Sequence, residues 1–240
     1  MHNERQEHIL DLIDSKGSIT LGELEETFPN VSSMTLRRDL ILLENEQHII
    51  RTKGGAVSSS RINIQSRDEP IYSFRELENM GAKKEIAMKA LRYVERGRSM
   101  YLDSGSTLMC LAKVMEDEAY TIITSGLNIA VELLKKQKPS VISLGGSVNR
   151  NTISVSGPES IEHMSRINID IAFMSASGYS EENGFTVSNV FESELKRSII
   201  KKAKKVIMLM DSSKIDKILA FTFASRSDVD VVILENDTEL

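Results

Sequence analysis

"SSMTLRRDLILLENE", residues 32–46, carries two adjacent arginines inside a stretch with helical periodicity. With Leu36 set at zero and an advance of about 100° per residue, Leu40 and Leu43 fall within about 40° of it, whereas Met34 and Arg38 lie on the opposite side. Thr35 and Arg37 flank that outer face. The spacing predicts an amphipathic helix whose guanidinium groups are pushed outward by its apolar seam, with Ser32 placed to cap its start.

Upstream, a helix is predicted over residues 3–16, with Ile9, Leu12 and Ile13 on one face and Gly17 as its stop. A second starts from Thr20 as N-cap, with Leu21, Leu24 and Phe28 at helical spacing before Pro29. Two helices joined by a short turn, the later one presenting basic residues near its start, make a helix-turn-helix layout, in which the later helix enters the major groove of DNA. Downstream, "HIIRTKGGAV" (48–57) reads as a β-ribbon: Ile49 and Ile50 give strand character, Gly54 and Gly55 bend the chain, and Arg51 and Lys53 stand beside the bend. Such a wing lies along the phosphate backbone next to the groove. The candidate DNA contacts are Ser33, Met34, Thr35, Arg37, Arg38, Arg51 and Lys53.

Charge weighs on both sides. Residues 1–57 carry six Lys and Arg against ten Asp and Glu, a net of −4, as an ordinary solvated surface would. Yet four of the six cations (Arg37, Arg38, Arg51, Lys53) fall on the third helix and the ribbon. A net charge of −5 for the whole chain excludes indiscriminate coating of nucleic acid, so any polyanion has to be met by a local patch.

The 240 residues, 40% apolar and 27% charged, suffice for two domains with separate cores. "SSSRINIQSRDEPIY" (58–72) has serines, charges and Pro70 but no amphipathic period, and is expected to link a domain at 1–57 to another at 73–240. Beyond it, apolar runs such as "YTIITS", "SVISLGG", "IDIAFMSAS" and "KKVIMLMDSS" alternate with helix-like segments, the pattern of an α/β domain with a mostly parallel sheet. Cys110 is the sole cysteine, which rules out an internal disulfide, and there is no CxxC pair or metal-ligand cluster. Neither metal nor cofactor is expected. The amino terminus "MHNERQEHIL" is charged and no segment approaches the roughly 18 apolar residues of a membrane span, so the expected location is the cytoplasm, away from membranes.

Small and hydroxyl residues gather where the apolar runs end. After "SMYL" come Asp103, Ser104, Gly105, Ser106 and Thr107; after "TII", Thr124, Ser125 and Gly126; after "VIMLM", Asp211, Ser212, Ser213 and Lys214. In open α/β sheets the carboxyl ends of the strands are where ligands bind. "DSGST" leading into "LMCLAKVM" is a strand, a glycine turn and a helix start, whose amides and hydroxyls suit an anion such as phosphate. Asp103 reads equally as an acceptor for a ligand hydroxyl or as a local cap, and Lys214 as a partner for the anion or a solvated cation.

Taken together, "VSSMTLRRDLILLE" and "IIRTKGGAV" resemble the winged-helix signature of the DeoR-type bacterial transcription regulators, V-S-x-x-T-I-R-R-D-L-x-x-L-E followed by R-x-H-G-G-A. The resemblance extends through "AKKEIAMKA", "YLDSGST", "ITSGLNIA", "SLGG", "IDIAFMSASG", "NGFTV", "ESELKRSII" and "LMDSSK" to that family's effector domain, with Ser125 where the family commonly has asparagine. It implies a sugar-phosphate isomerase-like fold that senses a phosphorylated sugar, with Asp103, Gly105, Ser106, Thr107, Thr124, Lys196 and Lys214 as effector-site candidates. The shared fold makes a sugar-phosphate isomerase the alternative. Aldose-ketose isomerisation needs tuned carboxylates for proton transfer. Ribose-5-phosphate isomerases carry them in a D-G-A-D-E strand end, whereas here the strand end reads Met174, Ser175, Ala176, Ser177, Gly178. The expectation is a regulator without catalytic residues: a repressor of a carbohydrate-use operon, homo-oligomeric so that paired heads meet a repeated operator, and released by a sugar phosphate.

Overall fold

In the computed structural model, which describes residues 4–45, 48–52, 54–58 and 72–236, the chain divides between Ser66 and Arg67 into two units. Most of the expected linker, 59–71, lies outside the described residues.

The first unit runs α1 (Glu4–Lys16), β1 (Ser18–Thr20), α2 (Leu21–Thr27), α3 (Ser33–Asn45), β2 (Ile49–Thr52) and β3 (Gly55–Ser58). Gly17, at φ 86°, ends α1 and its amide donates to Ile13 O at 2.7 Å. Thr20 caps α2 through a reciprocal pair: Glu23 N donates to Thr20 Oγ1 at 3.2 Å and Thr20 N to Glu23 Oε2 at 2.7 Å. Ser32 caps α3, accepting from Thr35 N at 3.3 Å. The apolar seams meet in one core of Ile9, Ile13, Leu24, Leu36, Leu40 and Leu43, joined by Ile19, Ile49 and Ala56 from the strands. The ribbon expected from two strands has a third. Ser18–Thr20, between the Gly17 stop and the second helix, pairs antiparallel with β3, Ile19 opposite Ala56, giving the order β1-β3-β2. This pairing explains Gly55: an added Cβ would lie 2.0 Å from the Ile19 carbonyl oxygen, where no side chain fits.

The second unit begins with α4 (Tyr72–Leu77) and α5 (Met80–Ala90). It continues through β4 (Ser99–Leu102), α6 (Ser106–Val114), β5 (Thr121–Thr124), α7 (Leu127–Leu133) and β6 (Ser140–Ser143). A hairpin of β7 (Ser147–Asn149) and β8 (Ser154–Ser156) leads to α8 (Pro158–Ser165) and β9 (Ile169–Met174). Then come β10 (Gly178–Ser180), β11 (Gly184–Val187), α9 (Val190–Lys202), β12 (Ala203–Leu209), β13 (Phe221–Ala224) and β14 (Val231–Ile233). Six strands form a parallel sheet in the order β14-β12-β9-β4-β5-β6, the mostly parallel α/β arrangement anticipated from the alternating runs.

Side chains alternate across this sheet with the period of two that a strand imposes. Leu102, Ile171, Phe173 and Ile207 pack with Leu108 and Leu111 of α6, while Tyr101, Ala172, Met174 and Met208 pack with Leu195 and Ile199 of α9. Both faces are covered, which is why these strands read as continuous apolar runs. The chain builds outward from β4 through β5 to β6, then crosses to β9 on the other flank of β4 and builds the opposite way. The order therefore reverses between β4 and β9. The smaller antiparallel sheet β10-β11-β13 left little trace in the sequence, because its strands are three or four residues long.

Candidate functional site

In the first unit, α3 presents Ser33, Met34, Arg37 and Arg38 to solvent, while Leu36, Leu40 and Leu43 are buried. Thr35 is half-buried and its hydroxyl lies 2.9 Å from that of Ser32, so it serves the helix start. Asp39, next to the two arginines, points inward: it accepts from Arg5 Nε at 2.7 Å, Arg5 Nη2 at 3.3 Å and Gln6 Nε2 at 3.0 Å. These bonds fasten α1 to α3 and fix how the outer face is presented. Sequence reasoning assigned Asp39 no role. The available signal was an acid on the core side of an amphipathic helix, since buried charge is retained only when paired.

Arg51 is engaged within the unit, its Nε donating to Glu44 Oε2 at 2.7 Å and its amide to Glu44 Oε1 at 3.0 Å. That contact ties the end of α3 to the wing. Lys53 lies outside the described residues.

In the second unit the strand-end residues fall into three groups. At the switch point, Asp103 follows β4 and is buried. Its Oδ2 accepts from Ser175 N at 2.9 Å and forms a close ion pair with Lys196 of α9, itself buried. Lys196 Nζ also donates to Ser175 O at 3.0 Å and stands 3.3 Å from Glu192 Oε1, one turn earlier on the helix. Ser175 Oγ lies 2.9 Å from both Asp103 Oδ2 and Ser104 O. Gly105, at φ 130°, gives the turn into α6, and a Cβ there would approach Ser175 Oγ at 3.2 Å. No side chain caps the start of α6, where Ser106 and Thr107 are buried. Asp103, Gly105, Ser106, Thr107 and Lys196 are thus brought together with Ser175, which sequence reasoning had not placed in the site.

At the end of β5, Thr124 turns the chain, its Oγ1 accepting from Gly126 N at 3.0 Å. Ser125 Oγ accepts from Tyr101 OH at 2.7 Å, linking β5 to β4; Tyr101 was also unanticipated. Lys214 belongs to a third group after β12. It lies 3.8 Å from Glu78 Oε2, beside Asp211, which accepts from Asn79 Nδ2 at 3.0 Å and Ser213 N at 3.2 Å. Burial alone would raise the Asp211 carboxyl, but the Ser213 hydroxyl and the Lys214 and Lys83 ammoniums hold it below its usual value. An open groove of about 450 Å³ between α6 and α7, lined by Met109, Lys113, Leu127 and Val131 among others, contains none of the expected site residues. Among the described residues no group of His, Cys, Asp and Glu is arranged to hold a metal ion, and no helix is long and apolar enough to cross a membrane.

The chain matches two families, the DeoR-like helix-turn-helix domain over residues 5–61 and the DeoR C terminal sensor domain over residues 78–236. It is 35% identical over 97% of its length, and 88% of the relative's, to the uncharacterized HTH-type transcriptional regulator YulB of Bacillus subtilis. It is 32% identical over 97% of its length, and 88% of the relative's, to the HTH-type transcriptional repressor GlcR of the same organism. Among solved structures, eIF2B delta from Chaetomium thermophilum overlays with a TM-score of 0.50 at 16% identity, covering 69% of this chain and 60% of that one, a likeness of fold alone.

Proposed function

Since the chain belongs to the DeoR family of helix-turn-helix transcription regulators, we propose that it represses a carbohydrate-use operon and leaves its operator when the sheet unit binds a phosphorylated sugar. The observation that carries the DNA-reading half is the outward presentation of Arg37 and Arg38 on a helix whose other side is locked by Leu36, Leu40, Leu43 and the Asp39 contacts. Arg37 and Arg38 read or anchor the operator from the groove. Arg51 reaches phosphate as part of an ion pair with Glu44 rather than as a lone cation, and Lys53, two residues on in the sequence, adds a second cation. Repression is the role in the name of the related GlcR.

For the sensing half, the uncapped start of α6 offers backbone amides and the Ser106 and Thr107 hydroxyls to a phosphate. Asp103 and Lys196 stand next to it at the switch point, with Thr124 and Lys214 at neighbouring strand ends. A homo-oligomer supplies the paired heads that a repeated operator requires. The isomerase alternative is disfavoured by the residues at the end of β9. Set beside D-G-A-D-E, Met174, Ser177 and Gly178 stand where the carboxylates that move protons would be, and Asp103 is occupied by Lys196 and Ser175. Hydroxyls and a paired carboxylate hold a ligand but make a poor proton shuttle.

The test is a melting screen of the full-length protein against phosphorylated pentoses and hexoses. One of them should raise the melting temperature of the parent and have little effect on Thr107→Val, and the same compound should release the protein from operator DNA in a gel shift. Efficient turnover of any of these sugars, or stabilisation without release from DNA, would overturn the reading.

A further inference from the structure

We propose that the apolar ridge at the centre of α3's outer face, Met34 with Ile41 two turns on, reads the 5-methyl groups of thymine in the major groove; this rests on the DNA-reading role of α3. Met34 is 77% exposed, and Ile41 and Leu42 on the same helix are 41% and 44% exposed. Single apolar side chains scattered over a surface need no explanation. These are not scattered. On the helical wheel that puts Leu36 at zero, Met34 and Ile41 fall at about 160° and 140°, Arg37 at about 100° and Arg38 at about 200°. Two guanidinium groups therefore flank a line of apolar side chains, on the side of the helix directly opposite its buried seam.

A surface that is apolar along its midline and cationic at its edges fits a partner with apolar points between two anionic rails. The major groove has that form, with phosphates on both sides and, among the base edges, the thymine C5-methyl as its apolar mark. A thioether suits the contact because it is unbranched and polarizable, and adapts its rotamer to the groove floor. Hydrogen-bonding side chains at these positions would read a different feature of the base pair. The methyl separates thymine from cytosine, and separates it equally from uracil.

The uracil comparison supplies the experiment. Full-length protein is used to enrich bound duplexes from a random-sequence library, and each thymine of an enriched duplex is then replaced singly by deoxyuridine, which removes only the methyl group. At one or more positions the parent should lose about four-fold in affinity, the value of one buried methyl. Met34→Leu should keep that sensitivity and Met34→Ala should lose it, both melting like the parent because the side chain is exposed. Tolerance of deoxyuridine at every position by the parent, or an undiminished loss in Met34→Ala, would overturn the proposal. So would a change of oligomeric state in Met34→Ala, which would make the ridge a protein interface. Failure to enrich any duplex would refute DNA reading itself and the ridge's role with it, an outcome separate from a bound duplex indifferent to its methyls.

Discussion

Arg38 and Asp39 are neighbours in the chain and serve opposite sides of one helix. Arg38 is exposed and Asp39 buried against Arg5 and Gln6, so removing the first should affect binding and leave folding alone. Arg38→Ala is expected to weaken operator binding by about 1–3 kcal/mol if it makes a bidentate base contact, with an unchanged melting temperature. A gel-shift titration indistinguishable from the parent would dismiss that contact. Lys196 presents the contrary case. It is 1% exposed and its partner Asp103 equally so, and removing one member of a buried pair leaves the other charge uncompensated, typically a loss of about 3–5 kcal/mol. Lys196→Met should therefore lower the melting temperature of the second unit markedly even without ligand. A variant as stable as the parent would mean that Asp103 does not need its cation.

At the scale of elements, the two edges of the parallel sheet are tied by different acids. At the carboxyl edge Asp103 joins the ends of β4 and β9. Near the amino edge Asp170 of β9 accepts from Lys204 Nζ at 2.8 Å, Ser99 N at 3.1 Å and Ser99 Oγ at 3.0 Å, bridging β12 and β4. The Lys204 bond first, and then the Ser99 bonds, hold the Asp170 carboxyl down at about 2. A folded-state pKa below the unfolded value means that the contribution to stability is complete above about pH 4 and disappears as pH falls through about 2. Asp170→Asn should thus melt below the parent at pH 6, and the gap should narrow between pH 4 and pH 2. A gap independent of pH in calorimetry would show that the charge at this position is not what ties the strands.

For the whole molecule, regulation requires the effector to bind the DNA-released state more tightly than the DNA-bound one; equal affinity would shift nothing. The coupling is reciprocal. If a sugar phosphate lowers operator affinity ten-fold, saturating operator must lower sugar-phosphate affinity by about the same ten-fold. Calorimetric titration of the effector with and without operator DNA measures this directly, and an unchanged effector affinity would leave repression without its release mechanism. The head's negative balance also bears on this scale, because phosphate contacts have to come from a few cations facing one way. Binding should weaken with salt by roughly 0.9 power per phosphate neutralised.

The sequence by itself determined whatever depends on near neighbours. The apolar period at Leu36, Leu40 and Leu43 set the orientation of α3, Thr20 and Ser32 marked helix starts, and the apolar runs marked the strands of the parallel sheet, because cap chemistry and side-chain period act within a turn or a few residues. The tertiary structure alone decided which distant residues meet. Asp103 joins Ser175, 72 residues on, and Lys196, 93 residues on, because the strand order reverses between β4 and β9. No short window encodes that reversal; it is fixed by how both faces of the sheet become covered. The third strand of the head has the same origin. Ser18–Thr20 is too short to declare itself, and becomes a strand only because the wing folds back to pair with it.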